Sequence, residues 1–417
     1  VQEGSTMVVR SLGVCVLFAG ALAGADRVTL TGTVTDASGK PIERATVMVY
    51  HAGVKQGYST FCPSCYSDCG KRTLTAANGT FTIPSLSPDL FFELLVVRDG
   101  YAPAFVKKVD PANVRPTAVL RTRERITDEG RVVRGVVVDG DGKPLRDAVV
   151  EPQGIQAETP RGGKGSIYGT IDGLEPVAVT NDQGEFELSY AKPFDAMVVH
   201  VEARGLAPKI ATNLASGGER HRIVVTDGAT IRGRLAQDGK PVANAEVGLV
   251  ARHRGWMANL TLYGYPVPEI RIGTNEDGTF AITNVPPGVE WYVYGKMDSL
   301  AARGAAPVVE CATAKDGEEV DVGDIAVTPG LRLRGKVALD DGNSIPPGMR
   351  VTISSDRAFD AQTAVLAEDG LFEFGGLAKG GYEIFASVRG YGLPNRRPVR
   401  LPLDHDVSDY VLTLGRQ

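Results

Sequence analysis

The feature that most constrains the fold of this chain is a pattern written four times, at a period of about 100 residues, the size of one small domain. Each copy opens on a strand, a turn and a second strand. These read VTLTGTVTDASGKPIERATVMVY from Val28, RVVRGVVVDGDGKPLRDAVVEP from Arg131, ATIRGRLAQDGKPVANAEVGLV from Ala229 and, more loosely, LRLRGKVALDDGNSIPPGMRVTIS from Leu331. A glycine recurs inside the first strand as Gly32, Gly135, Gly233 and Gly335, with apolar residues alternating around it. Period two with β-branched enrichment marks a half-buried strand. Gly-Lys-Pro recurs at Gly39, Gly142 and Gly239. The glycine supplies the positive φ of a tight reversal, and the proline fixes φ as the chain leaves the ladder.

A second landmark follows in each copy as TAANGTFTI, TNDQGEFEL, TNEDGTFAI and LAEDGLFEF. Its Asn/Gln/Asp-Gly step predicts a hairpin, and the phenylalanine after it (Phe81, Phe186, Phe280, Phe372) is expected to point inward. A third alternating strand, such as FELLVVRDGY or YEIFASVRGY, and a short closing strand complete each copy. No segment has a helical period. The prediction is all-β, with about seven short strands per copy in four tandem, small, antiparallel β-sandwich domains. Expected boundaries are 26–122, 130–226, 229–328 and 331–417, behind residues 1–25. Short polar joints near Arg123–Glu129, Asp227–Gly228 and Thr328–Gly330 predict a semi-rigid string.

Strand-Gly-strand, Asp-x-x-Gly-Lys-Pro, Ala-x-Val, Asp-x-x-Gly-x-Phe and the closing Val-x-x-Gly-Tyr together resemble the carboxypeptidase regulatory-like domain, in four copies. That resemblance implies a transthyretin-like (prealbumin-type) sandwich, related to starch-binding-like modules. It also implies an accessory role, because the domain named for zinc carboxypeptidases carries no catalytic residues itself.

Residues 1–25 hold upstream residues and, from Met7, the layout of a secretory signal: one Arg, an apolar run Leu12–Leu22, then Ala23-Gly24-Ala25. The run is short of the roughly 20 residues that span a bilayer, so cleavage near Ala25 is expected over anchoring. The mature chain is expected to carry no membrane span and to be exported, to the periplasm, cell surface or medium. The net charge of −5 over 417 residues, without blocks of like charge, argues against nucleic-acid binding.

Catalytic constellations are missing from the sequence. The five histidines (His51, His200, His221, His253, His405) form no His-Glu-x-x-His set, and His200-x-Glu202 lies in a predicted strand, where it reads as a surface or core pair. No Gly-x-Ser-x-Gly elbow or phosphate loop is present, and RGGKGS at Arg161–Ser166 reads as a flexible loop. No enzyme activity and no cofactor are expected.

The informative irregularity is loop length. Between second strand and second landmark lie residues 51–71, 152–175 and 251–269, each about 20 residues, beyond the usual range for compact domains. They carry Tyr58, Phe61 and Tyr66, then Tyr168, then Trp256, Tyr263 and Tyr265. Such aromatics can stack on sugars or anchor peptides, or can cap their own loops. The first loop also holds Cys62, Cys65 and Cys69, while Cys311 lies in copy three. In an oxidising compartment a disulfide is the economical reading, with Cys62–Cys69 and Cys65–Cys69 both open and the third cysteine free or paired with Cys311. Zinc is the alternative, and His51 is then the nearest fourth ligand in sequence. The function expected from these features is non-catalytic binding of a carbohydrate, peptide or envelope partner through the aromatic loops. A structural spacer and a regulatory subunit of a separate peptidase are the rivals.

Overall fold

A computed structural model describes residues 27–55, 63, 66, 68–159, 162–169, 171–252, 272–358, 360–386, 388, 390–393, 395 and 397–416. Among the described residues the repeat becomes four units of eight strands. The first holds β1 (Val28–Asp36), β2 (Thr46–Val54), β3 (Arg72–Leu74), β4 (Thr80–Leu86), β5 (Leu90–Val97), β6 (Tyr101–Ala102), β7 (Ala104–Val109) and β8 (Thr117–Thr122). The second holds β9 (Val132–Val138), β10 (Val149–Glu158), β11 (Lys164–Tyr168), β12 (Ala178–Val179), β13 (Glu185–Ser189), β14 (Ala196–Glu202), β15 (Lys209–Ala215) and β16 (Arg220–Val224). The third holds β17 (Ala229–Gln237), β18 (Lys240–Pro241), β19 (Glu246–Ala251), β20 (Ile272–Gly273), β21 (Thr279–Val285), β22 (Val289–Gly295), β23 (Val309–Thr313) and β24 (Glu319–Ala326). The fourth holds β25 (Leu331–Leu339), β26 (Arg350–Ser355), β27 (Ala361–Val365), β28 (Leu371–Leu377), β29 (Gly380–Ala386), β30 (Tyr391–Gly392), β31 (Val399–Leu403) and β32 (Val407–Arg416). Among the described residues helix is confined to single turns such as α1 (Met297–Leu300).

Each unit is two small sheets over one core. In the first unit the orders are β4-β1-β8-β6 and β3-β2-β5-β7, and the fourth repeats them as β28-β25-β32-β30 and β27-β26-β29-β31. Four separate apolar clusters fill the four sandwiches. Pairing is mostly antiparallel, but the first and last long strands of every unit run parallel as neighbours: β1 with β8, β9 with β16, β17 with β24 and β25 with β32. Parallel neighbours place a unit's entry and exit at opposite ends, which is the geometry a tandem string requires.

The recurring glycine and phenylalanine explain one another. Gly32 lies directly across from Phe81, Gly135 from Phe186, Gly233 from Phe280 and Gly335 from Phe372. A Cβ on those glycines would stand 2.4, 2.5, 2.7 and 2.7 Å from the partner ring. The ring of each phenylalanine therefore occupies the place of a side chain on the facing strand, and all four rings are buried. The Asn/Gln/Asp-Gly step differs from the predicted hairpin. The strand before it belongs to one sheet and the strand after it to the other, as β3 pairs β2 while β4 pairs β1. The turn crosses between layers because β3 and β4 are the edge strands of two different sheets.

A buried threonine opens this turn in three units. Ala45 N–H donates to Thr75 Oγ1 at 2.8 Å, and Thr75 Oγ1 donates to the Ile42 carbonyl at 2.6 Å. Thr180 and Thr274 make the same two bonds in units two and three. Unit four has buried Leu366 at this place, in the copy whose Gly-Lys-Pro turn is replaced.

The units meet unequally. Units one and two share an apolar cluster of Met48, Leu95, Val97, Val149, Val177 and Val179. Unit three sends Met297 into the core of unit four, and Asp360 accepts the Met297 N–H at 2.7 Å. Between units two and three the described contacts are polar, with Asn284 donating to the Gly205 and Asp227 carbonyls at 2.8 and 2.9 Å.

Candidate functional site

The three long segments leave the fold at the same place. In each of the first three units the segment joins the unit's second long strand (β2, β10, β19) to an edge strand that pairs with it in the same sheet (β3, β12, β20). In unit four the matching link, between β26 and β27, is short.

The first segment is anchored at its far end. The Val49 N–H donates to the Lys71 carbonyl, Gly70 N–H to the Val49 carbonyl and Ala52 N–H to the Pro63 carbonyl, at 2.8, 2.8 and 2.7 Å. Asp68 is fully buried there. Its carboxylate accepts from the Arg27 guanidinium, from Lys71 Nζ at 2.8 Å and from the Ser87 N–H at 3.0 Å. An acid with three donors ties this end of the segment to Arg27 and Ser87. Tyr66 and Cys69 pack against the unit's core, and the Cys69 thiol donates to the Pro63 carbonyl at 3.3 Å. Tyr58, Phe61, Cys62 and Cys65 lie outside the described residues.

His51 holds Glu93 Oε2 with its Nδ1 at 3.0 Å. It sits beside Tyr50, whose ring meets Phe105 edge-on at 5.3 Å between centroids. Among the described residues no group of three or more His, Cys, Asp or Glu is placed to hold a metal, and no disulfide is formed. Cys311, the expected distant partner, is a free thiol on β23 opposite Trp291. Burial in unit three pushes it up to about 11, which makes it a poor thiolate.

The second segment is folded where a loop was expected. β10 runs on to Glu158 and turns back as β11, with Gly154 across from Tyr168 and Glu158 across from Lys164. Lys164–Ser166 of the expected flexible RGGKGS loop is therefore strand. Pro152 did not end the strand because the ladder shifts register between it and Gly154, a bulge that needs no N–H from proline. The Tyr168 ring covers Gly154, where a Cβ would stand 2.4 Å from it, and keeps 40 % exposure. Of the expected ligand-facing aromatics, Tyr168 is thus displayed flat on a sheet, and Tyr66 faces its own core. Trp256, Tyr263 and Tyr265 lie outside the described residues.

Residues without an expected functional role gather where units one and two meet. Arg44 pairs with Asp147 and Arg72 with Glu202, while Arg123 reaches Glu175 at 2.5 Å and Glu187 at 3.2 Å. Arg44 and Arg72 belong to unit one and Arg123 to the joint that follows it, while unit two supplies every carboxylate. His200 is 3 % exposed beside this set, 4.0 Å from Glu202, and its Nε2 has no partner. Burial holds the His200 imidazole down to about 4, and burial with the nearby Glu202 charge pushes Glu151 up to about 7. A cavity of about 350 Å³ opens at the joint, lined by Arg123, Arg125, Asp128, Arg131 and Glu175 among others. The signal that was available is the residue before alanine in R-A-T and D-A-V, which changes sign between two otherwise matching turns.

The architecture defines a class: a tandem array of small β-sandwiches with elaborated edge loops. Residues 29–121, which span the first unit, match the family model of the carboxypeptidase regulatory-like domain. No curated protein matches the chain in sequence. Among solved structures the chain is similar to a streptococcal ancillary pilin (13% identity, TM-score 0.24, 69% of this chain and 99% of that one). It is also similar to the TIE protein of Bacillus anthracis (11%, TM-score 0.19, 93% and 73%). A third is BcpA, the major pilin subunit of Bacillus cereus (10%, TM-score 0.18, 94% and 100%). Likeness at that level says nothing of what this chain binds or builds. Among the described residues no helix is long and apolar enough to cross a membrane.

Proposed function

We propose that the chain is an exported, non-catalytic accessory protein of four domains, 26–122, 130–226, 229–328 and 331–417. On this reading it engages a carbohydrate, peptide or other envelope partner through the segments 51–71, 152–175 and 251–269. The observation that carries this reading is topological: three units place their longest segment at the same link of the same sheet, and the described part of one presents Tyr168 on an exposed face. Aromatic rings in such a position offer large contact area at low entropic cost. Tyr58, Phe61, Trp256, Tyr263 and Tyr265 remain the other candidates for this role, while Tyr66 packs against its own unit's core.

Replacing the three segments by the short link of unit four, one at a time and together, tests it. Glycan-array and envelope-fraction binding are expected to fall stepwise while each unit keeps its melting transition. Binding that survives the triple replacement refutes the assignment. A spacer is the second reading, supported by the apolar contacts that join units one and two and units three and four. It predicts no ligand in either screen with native segments. A regulatory subunit would instead change the activity of a separate peptidase and leave both screens silent.

A further inference from the structure

We propose that units one and two form an internal pseudo-dimer, packed about a local two-fold axis through Arg44 and Asp147, in which one half of the interface is apolar and its symmetry mate is ionic. Strand register supplies the equivalences. Thr46 pairs with Leu74 and Val97, and Val149 pairs with Val179 and Glu202. Met48 pairs with Arg72 and Leu95, and Glu151 pairs with His200. Position for position, Thr46 corresponds to Val149, Leu74 to Val179, Val97 to Glu202, Met48 to Glu151, and Leu95 to His200. One step further along the edge strands, Arg72 corresponds to Val177. Arg44 and Asp147 are equivalent too: each takes a positive φ (57° and 60°) and donates its N–H to the threonine that opens the next turn, Thr75 or Thr180.

In an isologous contact, if residue i of one copy touches residue j of the other, then j touches i as well. The ionic contact of Arg72 with Glu202 has as its mate Val177 with Val97, and those two valines share one apolar cluster and one cavity wall. Met48, Leu95 and Val97 of unit one thus face Val149, Val177 and Val179 of unit two. The mates of these six are Glu151, His200 and Glu202 on one side and Thr46, Arg72 and Leu74 on the other. The polar half closes less tightly, since Leu74 is 40 % exposed and Val179 is 5 % exposed. A residue on such an axis meets its own equivalent, and Arg44 meets Asp147.

This arrangement selects its partner. Two copies of unit one would bring Arg44 against Arg44 and two copies of unit two Asp147 against Asp147, while one of each gives an ion pair. A like charge at the axis is a repulsive element against the wrong pairing. The same turn position carries Asn244 in unit three and Gly348 in unit four, and those units join by another surface, through Met297 and Asp360.

The test uses the full chain and reads the initial rate of tryptic cleavage at Arg123 and Arg125 in the joint, with calorimetry to confirm that each unit is folded. Asp147→Arg is expected to raise cleavage about tenfold, and Arg44→Asp with Asp147→Arg to return it to within about twofold of wild type, as restored complementarity requires. Should Asp147→Arg not fold, Asp147→Asn gives the same comparison with a smaller rise. The two-fold relation makes a further demand. Arg72→Val alone should raise cleavage, and Arg72→Val with Glu202→Val should restore protection, because it rebuilds the Val97–Val177 contact at the mate position. Cleavage that stays high in either double variant, or never rises in the singles, overturns the pseudo-dimer.

Discussion

The pairing of glycine with phenylalanine is best tested in unit three, at Gly233 and Phe280. A Cβ on Gly233 would stand 2.7 and 3.0 Å from Phe280 ring carbons and 2.6 Å from Val322 Cγ2. Carbon atoms in contact prefer about 3.5–4.0 Å, so Gly233→Ala overpacks the site by roughly an ångström. Overpacking of this kind costs about 1–3 kcal/mol, partly offset by the roughly 0.5–1 kcal/mol by which alanine exceeds glycine in an extended strand. Phe280 is 3 % exposed, and its truncation to alanine costs about 3–5 kcal/mol. If the two residues share one space, the methyl added by Gly233→Ala enters the cavity left by the ring. The double variant should then be more stable than the sum of the singles by about 1–2 kcal/mol.

Unit three carries its own reporter. Trp291 is buried in its core, and the second of the chain's two tryptophans, Trp256, belongs to the same unit's long segment. Urea titration followed by tryptophan fluorescence therefore reads this unit within the intact chain. Gly278→Ala serves as the control: its Cβ would stand 2.5 Å from the Leu235 carbonyl at a φ of +78°, and removing a ring relieves neither. Additive costs at Gly233 and Phe280, within about 0.5 kcal/mol, would refute the shared-space explanation of the repeat. So would a rescue of Gly278→Ala as large as that of Gly233→Ala.

Three further outcomes are expected. Thiol counting on exported, denatured, non-reduced protein without residues 1–25 should find Cys311 and one loop cysteine reactive, with a disulfide among Cys62, Cys65 and Cys69 stabilising by about 2 kcal/mol; four reactive thiols with stoichiometric zinc would reject that staple. Glu151, raised from 4.5 to about 7, contributes stability that is complete below 4.5 and lost as pH rises through 7, whereas His200, lowered from 6.5 to about 4, contributes stability that is present above 6.5 and lost as pH falls through 4. The two slopes oppose each other between pH 4.5 and 6.5, so the unit-two melting temperature should be nearly flat there, and His200→Leu should make it fall steadily with rising pH; an unchanged profile in that variant contradicts the assignment. At the other junction, Asp360→Ala leaves the Met297 N–H without its acceptor and should cost about 1–3 kcal/mol, read as earlier melting of unit four by calorimetry.

The parts of the fold that could be read in advance are those that each unit repeats. Period-two apolar residues, a glycine in the first strand and a phenylalanine after the turn recur because every unit must fill the same sandwich. The register that sets Gly233 against Phe280 was not readable, since periodicity places a residue on a face but does not choose its neighbour on the next strand. The β10–β11 hairpin was hidden because Pro152 is a strand breaker in sequence, and only the bulge beside it lets the ladder continue. Of the site, the common position of the long segments could be read from spacing. The fates of Tyr66 and Tyr168 could not, because one packs inward and the other lies on a glycine, and both read alike as aromatics in loops.

Contacts between units leave no period at all, because each occurs once and joins residues far apart in sequence. Arg44 and Asp147 illustrate what such contacts do leave, which is a difference between copies at a position whose backbone is kept. All four units hold a positive φ there, at Arg44, Asp147, Asn244 and Gly348, so the turn itself places no demand on the side chain beyond tolerating that conformation. Arginine is a poor choice for a left-handed turn residue on conformational grounds alone, and asparagine and glycine are good ones. Aspartate suits the turn much as asparagine does, but where the chain supplies an arginine in one copy and the opposite charge in the next, the reason for the arginine lies outside the turn. In units one and two it lies in the neighbouring unit, 103 positions along the chain, where the two side chains meet.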